Sequence, residues 1–226
     1  MRITVIEHDG DAPLGFLAEW LGLACETVRP YLGEPVPEHA ADGLIVLGGE
    51  MAAWEDDRHP WLPPTRALIA RSVAAGVPTL GICLGAQLMT LACGGRVERG
   101  GRGLEVGACA VMALPAAAED RLFATVGTAT AVQYHRDAMT ALPEGAVPLL
   151  TGERYPNQAY RLGERAWGVQ FHPEATPEIF GRWAAMTDLA PEIAAEVTGA
   201  EADLVATWRP VARAFAAVVR ASAAPH

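Results

Sequence analysis

Residues 79–88 read Thr-Leu-Gly-Ile-Cys-Leu-Gly-Ala-Gln-Leu, and this stretch constrains the fold more than any other part of the chain. A run of small and apolar residues ends in Gly81-Ile82-Cys83-Leu84-Gly85, and a helix-compatible segment follows at once. That is the form of a nucleophile elbow, in which a strand passes through a sharp turn carrying a reactive atom directly into a helix. The flanking glycines leave room where strand and helix backbones nearly touch. Cys83 then sits at a helix N-terminus, where unpaired N–H groups favour thiolate, the form that attacks carbonyls. The alternative for any single cysteine is a small buried hydrophobe. Two glycines at these offsets after a β-like run favour the nucleophile.

The rest of the first half has the same rhythm. Ile3–Ile6 is a strand, Pro13–Leu23 a helix, Gly43–Leu47 an apolar strand ending in Gly48-Gly49, and Pro63–Ala75 a helix stopped by Gly76. Pro78–Ile82 leads into the elbow, and Leu84–Cys93 is the helix out of it. Apolar strands separated by helices predict a three-layer α/β fold, with a mostly parallel central sheet and helices on both faces. Such sheets place their sites at the carboxyl ends of strands, where Gly48-Gly49 and Cys83 fall. From Leu104 the pattern becomes β-like with short connections: Leu104–Leu114, Ala129–Tyr134, Ala146–Leu150, Gln158–Leu162 and Ala166–Phe171, with a helix near Ala116–Phe123. These segments predict an antiparallel extension of the sheet. Gly94–Gly103 lacks any phosphate-loop pattern and reads as a mobile surface loop. Past Pro177 the chain turns helical and Ala-rich. Leu204, Trp208, Val211, Phe215 and Val218 form an apolar stripe, with Pro210 expected to kink or break its helix.

A net charge of −10 argues against phosphate backbones and anionic membranes as main partners. The N-terminus reads as a strand rather than a signal peptide, and no stretch is long and apolar enough to span a bilayer. Cys25, Cys83, Cys93 and Cys109 are scattered with no C-x-x-C pair, so reduced thiols and a cytoplasmic location are expected. Neither a metal nor a cofactor is expected.

A cysteine nucleophile wants a histidine to hold its proton and later protonate the leaving amine. His172 ends an apolar strand-like run and precedes Pro173 and Glu174. Proline biases His172 towards extended backbone, where residues i and i+2 project to one side, so Glu174 can fold back on the imidazole. The N–H of Leu84 is one oxyanion donor by elbow geometry, and Gly48-Gly49 suits the second.

These residues resemble the class I glutamine amidotransferases. The resemblance is carried by the cysteine elbow, by Leu47-Gly48-Gly49 and by Phe171-His172-Pro173-Glu174. Gln133-Tyr134-His135-Arg136-Asp137, Asn157-Gln158-Ala159-Tyr160 and the run Arg165–Phe171 are most similar to the glutaminase domain of guanosine monophosphate synthetase and its stand-alone relatives. The resemblance runs from about Ile3 to Trp183 and implies a flavodoxin-like amidotransferase fold. It also implies that Cys83 attacks the side-chain amide of glutamine to give a γ-glutamyl thioester and ammonia, with His172 and Glu174 as catalytic partners and Gly49 and Leu84 as oxyanion donors. Gly48, Gln87, Glu105, Gly107, Gln133, Tyr134 and His135 would form the glutamine site, with Gln87 on the substrate amide. Two departures stand out. Glu50 occupies a position where the family usually has proline, and Trp54-Glu55-Asp56-Asp57 is unusually acidic.

Nothing in the sequence resembles an ATP-pyrophosphatase domain, so an ammonia-accepting synthetase is expected on a separate chain. The expected division is residues 1–189 as the amidotransferase domain and 190–226 as a helical extension packed on it. Two other functions share these residues: a stand-alone hydrolase of γ-glutamyl peptides or amides, and a non-catalytic binding protein on the same fold. A homo-oligomer is compatible with each.

Overall fold

The computed structural model describes residues 1–222. Its strands are β1 (Arg2–Ile6), β2 (Ala24–Val28), β3 (Gly43–Val46), β4 (Thr79–Ile82), β5 (Arg96–Arg99), β6 (Glu105–Ala113), β7 (Thr128–His135), β8 (Asp137–Ala141), β9 (Val147–Gly152), β10 (Ala159–Leu162) and β11 (Ala166–Val169). The helices are α1 (Leu17–Trp20), α2 (Leu62–Ala74), α3 (Leu84–Ala92), α4 (Pro177–Met186), α5 (Pro191–Gly199) and α6 (Glu201–Ser222). A nine-stranded sheet has the order β2-β1-β3-β4-β11-β10-β9-β6-β7. From β2 to β11 the pairings are parallel, and from β11 to β7 they are antiparallel. This is the α/β architecture with an antiparallel extension that the apolar runs predict. Among the described residues no helix is long and apolar enough to cross a membrane.

Alternation along the central strands divides the interior into two cores. Ile3, Val5, Ile45 and Leu47 face α1, α4 and α6, whereas Ile6, Leu44 and Val46 face α2 and α3. Both faces of these strands are therefore buried, which is why they read as unbroken apolar runs.

Several local expectations give way to tertiary contacts. The helix expected over Pro13–Leu23 shrinks to Leu17–Trp20. Gly15 adopts φ +48°, where an added Cβ would lie 2.0 Å from Glu174 O, and the next amide, Phe16 N–H, donates to that carbonyl at 2.9 Å. The segment is thus shaped around Glu174 rather than by its own propensity. The helix expected near Ala116–Phe123 becomes a 3₁₀ turn at Pro115–Glu119. Asp120 stops it: its Oδ1 accepts Leu122 N–H at 2.9 Å and Trp167 Nε1–H at 3.1 Å, while Oδ2 accepts Arg161 Nε–H. Part of the expected Gly94–Gly103 loop is strand β5, paired with β8 in a separate two-stranded sheet.

Helix α6 buries Leu204, Trp208, Val211, Phe215 and Val218, as its stripe predicts. It runs through Pro210 as one continuous helix, so of the expected kink or break the break is absent. The reason is position: Pro210 and Ala206, whose carbonyl loses its helical donor, both lie on the exposed side, where water replaces the bond. Trp208 packs at a tilt against Phe171 with ring centroids 4.6 Å apart, and its Nε1–H donates to Thr130 O at 2.9 Å. Arg220 reaches Gly22 O at 3.0 Å, clasping the end of the chain to its beginning. A large apolar side chain buried this fully contributes about 1.5–3 kcal/mol. Truncation after Ala190 is therefore expected to give an aggregating or unfolded product, readable by circular dichroism and light scattering. A soluble, cooperatively melting truncated protein would show that the sheet does not need this cover.

Candidate active site

The elbow forms because the backbone has no alternative path. Cys83 sits at φ 49°, ψ −106°, between β4 and α3, a conformation costing on the order of 1–3 kcal/mol for a residue with a Cβ. Surrounding bonds hold it there: Cys83 N–H donates to Val169 O at 2.8 Å, and Gln87 N–H to Cys83 O at 3.0 Å. An added Cβ on Gly81 would lie 2.7 Å from the carbonyl carbon of Gly85, and one on Gly85 would lie 2.0 Å from Val46 O. Only glycine fits either position.

Parallel pairing of β11 with β4 brings the end of β11 beside the nucleophile. His172 N–H donates to Val132 O at 2.8 Å, and its ring Nδ1 lies 2.7 Å from Glu174 Oε1. A Cβ on Gly48 would lie 2.9 Å from His172 Cε1 and 3.7 Å from Cys83 Cβ, so imidazole and nucleophile converge above this glycine. Burial opposes charge on the imidazole, but the Glu174 carboxylate and the Cys83 sulfur beside it push its pKa up to about 10. The neighbouring carboxylate thus favours the protonated ring, the form that can donate a proton. The edge of Trp183 packs on the ring, with centroids 4.8 Å apart.

Cys83 and His172 open onto a cleft of about 310 Å³. Gly49 lines it, and Leu84 provides the first N–H of α3, which has no intrahelical acceptor. The opposite wall is Tyr134, Trp183, Met186 and Thr187, and Tyr134 Oη lies 2.6 Å from Thr187 Oγ1. Asp9, Asp11 and Glu50 form an acidic rim. Sequence reasoning named Tyr134 and Glu50 here but missed Trp183, Met186, Thr187, Asp9 and Asp11. Helix α4 gives no local signal of function, and Asp9 and Asp11 follow β1 at the same carboxyl edge of the sheet as Cys83, which was the clue available. Two carboxylates of the acidic stretch singled out in the sequence are engaged within the fold instead. Glu55 accepts Ala52 N–H at 2.8 Å, and Asp56 forms a bidentate pair with Arg66.

The remaining expected site residues lie behind the cleft rather than on its walls. Glu105 Oε2 accepts from Gln158 Nε2–H and contacts His135 Nε2, both at 2.9 Å, and Gln133 Nε2–H donates to Gln158 Oε1 at 2.8 Å. His135 has its other nitrogen 2.8 Å from Asp137 O, so both ring nitrogens are engaged away from Cys83. This buried network stiffens β6 and β7, which carry Tyr134 to the cleft. Gly107 (φ +95°) faces α5, where an added Cβ would lie 3.0 Å from Ile193 Cγ2. Gln87, expected on the substrate amide, instead donates through Nε2 to Asp137 O and to Gln170 Oε1, both at 3.2 Å. It is fully buried, and these acceptors hold its amide behind the sulfur rather than in the cleft. Among the described residues no group of His, Cys, Asp and Glu is placed to hold a metal ion.

The model of the class I glutamine amidotransferase family matches residues 21–185. A GMP synthase (glutamine-hydrolyzing) of Thermus thermophilus is 38% identical over 143 residues, which cover 62% of this chain and 26% of that protein. The corresponding enzyme of Bacteroides fragilis is 32% identical over 152 residues, 66% of this chain and 28% of the relative. The match therefore spans only about a quarter of these relatives' length. A solved glutamine amidotransferase from Methylobacillus flagellatus superposes with a TM-score of 0.86 at 26% identity, covering 100% of this chain and 96% of that one. One from Thermotoga maritima has the same fold, with a TM-score of 0.84 at 24% identity over 96% and 98% of the two chains.

Proposed function

Because the chain belongs to the class I glutamine amidotransferases, we propose that it hydrolyses the side-chain amide of glutamine through a γ-glutamyl thioester on Cys83. The observation that carries this reading is that Cys83 and His172 line one cleft, with the Glu174 carboxylate 2.7 Å behind the imidazole. The thiolate attacks the amide carbon, and the oxyanion so formed accepts the N–H groups of Gly49 and Leu84. The His172 imidazolium protonates the departing nitrogen, the C–N bond breaks and ammonia leaves. Neutral His172 then takes a proton from water, whose oxygen attacks the thioester. The C–S bond breaks, glutamate departs and the thiolate–imidazolium pair is restored. Glu174 holds Nδ1 and stabilises the charged ring throughout.

In this reading Gly48 gives the imidazole its close approach and Tyr134 shapes the glutamine pocket. Glu105, Gly107, Gln133 and His135 support that pocket from behind. The cleft has no lysine or arginine in its lining, so backbone N–H groups would hold the substrate carboxylate, with the acidic rim facing its ammonium. The ammonia acceptor is a synthetase, in the cytoplasm. Residues 1–189 constitute the amidotransferase domain and 190–222 its helical extension, the last four residues of the expected extension lying outside the described residues. Steady-state ammonia release from glutamine, measured beside release of the free amine or amino acid from γ-glutamyl dipeptides, tests the substrate. Glutamine is expected to have at least ~10-fold higher kcat/KM, worth about 1.4 kcal/mol of transition-state binding. The reverse preference would make the protein a γ-glutamyl hydrolase with the same chemistry.

A further inference from the structure

Two buried glutamines stand directly behind the nucleophile. Gln170, the first residue after β11, directs its amide towards α3, and its Nε2–H donates to Cys83 Sγ at 3.6 Å. Gln87, one turn along α3, donates to Gln170 Oε1 and to Asp137 O. Both side chains are almost completely buried.

The orientation of this relay follows from donor and acceptor chemistry alone. Asp137 O is a backbone carbonyl and can only accept, so the Gln87 group facing it must be the NH₂. That NH₂ has two protons and two acceptors, Asp137 O and Gln170. Gln170 must therefore turn its oxygen to Gln87 and its own NH₂ to the sulfur. Flipping Gln170 would set two NH₂ groups against each other, an unfavourable arrangement at a buried site.

We propose that Gln170 is a catalytic hydrogen-bond donor to the Cys83 sulfur, held in its donating orientation by Gln87 as a positioning residue. This rests on the reading of Cys83 as the nucleophile and adds a third contact to it. His172 and the N-terminus of α3 act from the cleft side, and Gln170 acts from the opposite side, where substrate does not reach. The donor has most effect when negative charge sits on sulfur: in the free enzyme, and again when the thioester C–S bond breaks and its electron pair returns to sulfur. Gln87 is thereby reassigned from the substrate amide to the support of the nucleophile.

The test is the pH profile of Cys83 alkylation by iodoacetamide in the substrate-free protein, together with kcat and KM for glutamine. Gln170→Met removes the donor at similar volume and should raise the alkylation midpoint by about one pH unit, slowing alkylation ~10-fold below it. Gln170→Glu should move the midpoint further upward, since an anion then faces the sulfur. Gln87→Met should shift the midpoint in the same direction and lower kcat with KM unchanged. An unaltered alkylation profile in a natively melting Gln170→Met protein would overturn the proposal. If that variant does not fold, the volume-matched Gln170→Glu decides, and an unaltered profile there overturns it equally. An effect of Gln87→Met on KM alone would return Gln87 to the substrate. Turnover surviving in Cys83→Ala would remove the nucleophile reading itself, an outcome distinct from all of these.

Discussion

Replacing Cys83 with alanine is expected to lower glutamine turnover by at least ~10⁴-fold while leaving the melting temperature nearly unchanged. The removed atom is one sulfur at the floor of an open cleft, so little packing is lost, whereas the covalent route disappears entirely. The strained backbone at φ 49° remains strained with alanine, which equally carries a Cβ. A glutamine-derived affinity label should accordingly modify Cys83 before the other cysteines. Burial pushes the Cys25 and Cys93 thiols up, and burial followed by the Glu105 carboxylate pushes Cys109 up to about 11. All three are therefore poor nucleophiles at neutral pH. Stoichiometric labelling mapped by peptide mass spectrometry to one of these three, with Cys83 untouched, would refute the assignment.

The second large effect is expected at His172. His172→Asn should reduce kcat by ~10³-fold, because proton delivery to the leaving nitrogen is lost. Glu174→Gln should cost less, since a glutamine oxygen can still accept from Nδ1 at the 2.7 Å contact and keep the tautomer. It should also move the pH profile. Burial pulls the imidazole down and Glu174 leads the groups that raise it to about 10. Without the carboxylate the ring loses its proton at lower pH, so the alkaline limit of kcat/KM should shift towards neutrality. The same sign governs stability: a histidine raised in the fold stabilises fully below its unfolded value near 6.5 and loses that contribution as pH rises through about 10. Glu174→Gln should therefore flatten the decline of melting temperature between neutrality and pH 10. Equal kcat losses in the two variants would mean that Glu174 does more than orient and stabilise.

The elements readable in the sequence were those whose pattern is set locally. Apolar runs such as Gly43–Val46 are buried on both faces and must be apolar whatever surrounds them. The elbow glycines are dictated by backbone clearance, and the His172–Glu174 pair by a spacing of two residues. What escaped was decided at a distance. Edge strand β2 is half exposed and carries no unbroken apolar run. Strand β5 lies in a Gly- and Arg-rich stretch and exists because β8 pairs with it. The partners of Gln87 escaped for the same kind of reason: Asp137 and Gln170 lie 50 and 83 residues away. Spacing along one helix predicts the face a side chain lies on, not the acceptor it finds there.

The central position of β11 has a consequence for biosynthesis. Cys83 precedes its partners in the chain: the carbonyl that holds its amide, the imidazole beside it and the carboxylate behind that imidazole all lie from Val169 to Glu174. Residues 83 and 174 are separated by 91 positions, which at ~5–20 residues per second is roughly 5–18 seconds of synthesis. During that interval the nascent chain carries an ordinary thiol on an unfinished sheet. On the proposed mechanism, chemical competence arrives only once residue 174 has been made, so a translation product interrupted before it is expected to be inert towards amides however well its earlier part has folded.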